Sequence, residues 1–220
     1  MRASKLKHLR SEHSEDAVSW NVFRSLRQID PTIWLPLLCA AGQPPFLLQA
    51  SASVTVELWR TFAPPPRLLE SGDEGDSEID IVVQSPSWVW FIEAKYKSDI
   101  SSGTTTRPSR DQLLRNIDVG SYHAGVRDFY FSLLITSSGN SREGAAKIAE
   151  YCDFAVPRSR LAEHRPDGLM NLRGISLLTW ADLATVLAGC ARLAALAPEK
   201  ECAQRVVAWL EMKAIVPRTV

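Results

Sequence analysis

Apolar positions follow two rhythms along the chain. Between Ser14 and Ile29 they recur at helical spacing, with Ser14 placed to cap the helix and Pro31 to stop it. A proline-bearing stretch, Pro36 to Pro45, then leads to alternating Val54, Val56 and Leu58, which predicts a strand ended by Pro64-Pro65-Pro66. Ile79 to Gln84 and Trp88 to Lys97 read as two strands around the turn Ser85-Pro86-Ser87. A helix is predicted from about Ser109 to Tyr122. Phe129 to Thr136, almost wholly apolar, predicts a central strand covered on both faces. Glu143 to Tyr151 reads as a helix, 157 to 173 as an irregular basic stretch, and Ile175 to Leu178 as a short strand. Helices follow at Trp180 to Leu196 and, after Pro198, at about Glu199 to Ala214. Strands and helices interleaved in this way predict a single α/β domain over residues 1–220, with a core at about 14–180 and a C-terminal helical extension at about 180–215.

Composition narrows the function classes. Of 220 residues 45% are hydrophobic and 23% charged, and 25 Lys+Arg balance 25 Asp+Glu. A strongly basic nucleic-acid coat and an acidic tail are excluded, while a locally basic site is not. A membrane span needs about 20 apolar residues, and the best run, Ile33 to Gly42, is short and broken by Pro36. Basic residues near the N-terminus (Arg2, Lys5, Lys7, His8, Arg10) are followed by polar Ser11 to Asp16, so no signal peptide is expected. Cys39, Cys152, Cys190 and Cys202 form no CxxC pair and read as buried thiols of a cytoplasmic protein rather than a zinc site. The four histidines lack metal-ligand spacing, and neither a Gly-rich phosphate loop nor a Ser or Cys nucleophile motif is present.

The chemistry concentrates in Ser77 to Lys97, SEIDIVVQSPSWVWFIEAKYK. Strand alternation puts Ile79, Ile81 and Val83 on one face and Asp80 and Val82 on the other. In the second strand Trp88, Trp90, Ile92 and Ala94 face one way and Val89, Phe91, Glu93 and Lys95 the other. Both strands are thus apolar on both sides, and charge interrupts them only at Asp80, Glu93 and Lys95. Charges among apolar neighbours are costly unless paired or bound to a metal. A tight turn after Val83 brings Asp80 and Glu93 to the same end of the hairpin, where two carboxylates repel unless a cation lies between them. Oxygen ligands of this kind suit Mg²⁺ or Mn²⁺. Lys95, on the side of Glu93, is placed to orient or deprotonate the attacking water and to offset charge on a phosphate. The competing reading is a salt-bridged strand end, Asp80–Lys95 or Glu93–Lys95.

Asp80 in EIDIVV, followed by the Glu93-Ala94-Lys95 triplet on the next strand, resembles the PD-(D/E)XK nuclease superfamily. Ile79 stands where that family's motif has proline. The resemblance implies a restriction-endonuclease-like core, a central mixed β-sheet flanked by helices, with extra C-terminal helices here. It further implies Asp80 and Glu93 as metal ligands and Lys95 as a catalytic residue. Many members place an acid on the first helix; Glu15 lies within about 40° of the stripe Ser19, Val22, Leu26, Ile29, which makes it the third candidate ligand. Its alternative is a first-turn acid complementing the helix dipole, and Glu57 is a rival for the same role. Some branches carry a glutamine on the helix after the triplet, the place of Gln112, which could otherwise close a capping box with Ser109.

Basic residues supply the partner. Lys97, Arg107, Arg110 and Arg115 flank the site, and Arg158, Arg160, Arg165 and Arg173 populate the irregular stretch; all are candidate phosphate contacts. The expectation is a Mg²⁺- or Mn²⁺-dependent DNA endonuclease, in restriction, phage defence or repair by family analogy, with a homodimer as one way to cut both strands. The alternative is an inactive nucleic-acid or protein-binding module that keeps the fold.

Overall fold

The computed structural model describes residues 14–50, 53–70, 74–101 and 110–216. Among them, five strands and eight helices form one α/β arrangement. Its elements are α1 (Glu15–Leu26), α2 (Pro31–Ala41), β1 (Thr55–Phe62), α3 (Pro66–Glu70), β2 (Ser77–Gln84), β3 (Trp88–Ala94), α4 (Gln112–Ala124), β4 (Asp128–Ile135), α5 (Arg142–Tyr151), α6 (Ala155–Leu161), β5 (Leu172–Thr179), α7 (Trp180–Leu193) and α8 (Ala197–Met212).

The sheet runs β1-β2-β3-β4-β5. Its first three strands are antiparallel neighbours and the last two join in parallel, making it mixed. Alternation along the strands sorts their side chains into two apolar layers. Ile81, Val83, Trp90, Ile92 and Leu134 meet α1, α2, α7 and α8 on one face. Val82, Phe91, Phe129, Phe131 and Leu133 meet α4, α5 and α6 on the other. β3 is buried at every position, and β4 at all but the first. That double covering is why both read as nearly continuous apolar runs.

The C-terminal helices are not an appendage. Leu183, Leu187 and Cys190 of α7 and Ala203, Val206 and Leu210 of α8 share one cluster with Val22, Phe23 and Trp34. The segment read as a proline-bearing connection also differs, being the helix α2. Asp30 caps it by accepting from the Thr32 N–H at 2.9 Å, and Pro31 takes the first position, where a missing N–H costs nothing. Pro31 therefore starts a helix rather than ending one, since α1 has already stopped at Leu26, short of the expected Ile29, and Pro36 is tolerated inside α2. The stretch read as irregular, 157–173, overlaps the short helix α6 (Ala155–Leu161) at its start and β5, which begins at Leu172, at its end.

One close approach sets α4 against the sheet. A Cβ on Gly120 would lie 2.2 Å from Phe129 and 2.8 Å from Phe91. Gly120→Ala is therefore expected to push α4 outward and lower stability by about 1–3 kcal/mol, the usual range for overpacking, as read by urea denaturation. An unchanged midpoint would show that the two rings have room to move.

Candidate active site

The hairpin opens at one end. β2 and β3 pair from Gln84↔Val89 to Ile81↔Ile92, and the ladder then stops, although Asp80 and Glu93 are the next pair by count. Alternate N–H groups of β3 point to opposite neighbours. The Lys95 backbone N–H donates to the Leu134 carbonyl of β4 at 2.7 Å, so the Ala94 N–H faces β2 with no strand partner. The Asp80 carboxylate accepts that N–H at 2.9 Å. The two strands are thus held apart where the acids sit, with one acid bridging the gap.

Glu93 is 2% exposed and carries hydrogen bonds on both oxygens. Oε1 accepts from Lys95 Nζ at 2.7 Å and from Gln112 Nε2 at 2.6 Å, and Oε2 accepts from Asn116 Nδ2 at 2.8 Å. Gln112 and Asn116 are one helical turn apart, so α4 presents both amides on one face. Asp111 caps α4 by accepting from the Leu114 N–H. Gln112 is therefore the first residue of the helix, and its amide serves Glu93 rather than a capping box; Ser109 lies outside the described residues.

Glu15 also reaches this end of the sheet. Ser14 starts α1 by accepting from the Ala17 N–H, and Glu15 Oε2 accepts from the Tyr96 N–H at 2.8 Å and the Ser98 hydroxyl at 3.0 Å. Its other oxygen stands 3.9 Å from Lys95 Nζ. Glu57, the rival, lies elsewhere on β1, engaged by Arg60 and Gln84. The chain after β3 is pinned further on: the Thr136 hydroxyl donates to the Tyr96 carbonyl, and Asp99 accepts from the Glu143 and Gly144 N–H groups at the start of α5.

Electrostatics separate the charged members. Burial, then repulsion from Glu93, raises the Asp80 pKa well above the ordinary carboxylate value, against smaller opposing effects of Lys95 and the Ala94 N–H. The residue keeps some surface, but its carboxyl group is enclosed. Burial works against the Lys95 ammonium, yet Glu93, Asp80 and Glu15 together outweigh it and hold its pKa above the usual lysine range. Lys95 therefore stands as a cation that orients and neutralises, and the expectation that it deprotonates water finds no support in these surroundings.

Among the described residues no three carboxylate, imidazole or thiol side chains converge closely enough to hold an ion. The three-acid set is thus not assembled: Glu15 is spent on the backbone after β3 and faces Lys95. Asp80 and Glu93 remain as an adjacent pair. Mg²⁺ is commonly held by one or two carboxylates plus substrate phosphate and water, so this pair fits such an ion in kind.

Most of the basic residues are engaged by other groups of the protein. Arg110 is 4% exposed, clamped by Glu74 and Asp118 and touching His164, so it is not a phosphate contact. Arg115 donates to the Gly75 and Asp76 carbonyls. Arg160 pairs with Glu150, Arg165 with Asp118 and Arg173 with Asp128. Arg158 is exposed and lies over the Phe154 ring. Lys97 is exposed beside the site, its ammonium over the Tyr96 ring, and Arg107 lies outside the described residues. Two features went unread in the sequence. Asn116 was signalled only by its i+4 spacing from Gln112, and the buried cluster around Asp118 joins segments far apart in the chain.

No family model matches the chain, and no curated protein matches it. Among solved structures, the crystal structure of the protein of unknown function AF1548 aligns over 74% of this chain and 89% of its own, at 15% identity and a TM-score of 0.25. A likeness that low carries no argument about fold or activity. No helix among the described residues is long and apolar enough to cross a membrane.

Proposed function

We propose that the chain is a Mg²⁺- or Mn²⁺-dependent phosphodiesterase acting on DNA. The observation that supports this most is the parted end of the β2–β3 hairpin, where Asp80, Glu93 and Lys95 converge among buried apolar strands. A protein that needed only stability would place apolar residues there. Asp80 and Glu93 would hold the cation, which when bound supplies Lewis-acid activation of the phosphate and of the attacking water. Lys95 brings a fixed positive charge to the charge developing on the phosphate. Gln112 and Asn116 fix both oxygens of Glu93, and Glu15 holds the backbone at Tyr96 so that Lys95 projects toward the acids.

The test is hydrolysis of plasmid and oligonucleotide DNA in Mg²⁺ or Mn²⁺ by wild type, Asp80→Ala and Lys95→Ala. Both variants are expected to lose activity by at least about 10²-fold; activity that survives both removes the proposal. One observation favours the second reading, a binding module without catalysis: the Glu93–Lys95 contact at 2.7 Å closes the site as a salt-bridged strand end would. Calorimetry separates the two, since a binding module should take up no Mn²⁺ in an Asp80-dependent manner.

A further inference from the structure

Two indoles stand apart from both apolar layers. Trp20 on α1 and Trp59 on β1 stack with ring centroids 5.6 Å apart and planes 4° apart. Each is half-buried, and neither joins the cluster on either face of the sheet. The exposed Arg24 places its guanidinium carbon 5.3 Å from the Trp20 ring centre.

The backbone beneath Trp59 is unusual. β1 pairs with β2 at Leu58↔Ile81 and Arg60↔Ile79, skipping Trp59, whose φ is 54°. That left-handed conformation favours glycine and is costly for a bulky residue. Glycine would relieve the strain, yet the largest side chain stands there. By count Trp59 lies opposite Asp80, one strand spacing away, about 5 Å across the sheet. α1, which carries Trp20, also brings Glu15 to the site. The strained position on β1 thus faces Asp80 on β2, at the end of the sheet where Glu93 and Glu15 also lie.

We propose that Trp20 and Trp59 form a stacking platform for unpaired bases of the nucleic-acid strand whose phosphate enters between Asp80 and Glu93; this rests on the phosphodiesterase reading above. Indole faces stack on any base, so such a platform binds without reading sequence, and a neighbouring guanidinium adds to it. Arg24 is placed to reach the phosphate of the stacked base. The platform makes single-stranded segments, flaps or frayed ends the favoured substrate over fully paired duplex.

The experiment compares two probes by fluorescence anisotropy: labelled oligodeoxythymidylate, and the same strand with abasic residues, which keeps every phosphate but no base. Wild type is expected to bind the thymidylate strand at least about tenfold more tightly, the effect of one stacked base. Trp20→Leu and Trp59→Leu should each erase that difference while leaving binding of the abasic strand unchanged. Trp59→Tyr, which keeps a ring, should largely retain it, and circular dichroism checks that each variant is folded. Equal binding of the two probes by wild type, or a base preference that survives both leucine variants, overturns the platform. Cleavage is measured separately. Base-dependent binding without hydrolysis would sink the phosphodiesterase reading and spare the platform; hydrolysis without base-dependent binding would do the reverse.

Discussion

Asp80→Asn is expected to give a protein that melts higher than wild type at neutral pH and no longer hydrolyses DNA. Burial and the proximity of Glu93 raise the Asp80 pKa above its ordinary 3.8, so the fold prefers this group protonated. The sign follows from linkage: a carboxyl whose folded pKa is raised contributes its full stability below about pH 4. That contribution is lost as pH rises through the folded value. As pH rises, the wild type therefore loses stability by ionising a group whose charge its surroundings disfavour. Asparagine removes that charge at nearly the same volume, and its carbonyl oxygen can still accept the Ala94 N–H. A gain on the order of 1 kcal/mol would raise the midpoint by about 2–4 °C in a chain of this size. Melting curves at pH 5 and pH 8 should show the gap between variant and wild type widening at the higher pH. Mn²⁺ should raise the wild-type midpoint by offsetting the repulsion between Asp80 and Glu93, and leave Asp80→Asn unmoved. A variant that is destabilised at both pH values would mean that Asp80 serves the fold, and the catalytic reading would lose its main physical support.

This opposition between stability and chemistry also explains what the sequence disclosed. Asp80, Glu93 and Lys95 were legible because each interrupts a run whose neighbours are apolar on both faces; burial was implied by Ile79, Ile81, Phe91 and Ile92 alone. Glu15 was legible as an acid on an inward stripe, but its partner was not, because the Tyr96 N–H it meets lies 81 residues away. The basic residues misled for the converse reason. Arg110 and Arg165 look like surface charge in a linear reading, and their acids, Glu74 and Asp118, come from an apparent loop and a helix interior. The helix α2 was missed because Asp30-Pro31 signals a stop and a start equally well, and Pro36 argued against the second. Local pattern gave the strands and most of their faces; Ile79 was expected beside Ile81 and Val83 but packs in the layer of Val82, because the regular pairing with β1 breaks at Trp59 and Asp80. Pairing between distant charges needed the fold.

The largest loss of stability is expected from Asp118→Ala. Asp118 is fully buried on α4 and holds three cationic or potentially cationic groups. Oδ2 accepts from Arg110 at 3.0 Å and from His164 at 2.6 Å, and Oδ1 accepts from Arg165 at 2.8 Å. Burial alone would raise its pKa, but the His164 hydrogen bond and the charges of Arg110, His164 and Arg165 outweigh burial and lower it. A carboxyl with a depressed folded pKa contributes stability above its unfolded value and loses it as pH falls through the folded one. Alanine would leave two guanidinium groups and an imidazole facing one another in the interior, with Glu74 the one acid among the described residues that still meets Arg110. Breaking a buried pair from one side costs about 3–5 kcal/mol, a large share of the roughly 5–15 kcal/mol that holds a typical domain together. Urea denaturation at pH 7 should show that fall, and Asp118→Asn should flatten the acid limb of the stability curve below about pH 4. The site would feel the same change. Arg110 adjoins Asp111 and Gln112, the cap and first residue of α4, so loosening it frees the helix end that holds Glu93. Hydrolysis by Asp118→Ala should therefore fail at a lower temperature than global unfolding, because the amide grip on Glu93 is released first. Loss of activity only at the unfolding midpoint would uncouple the cluster from the site.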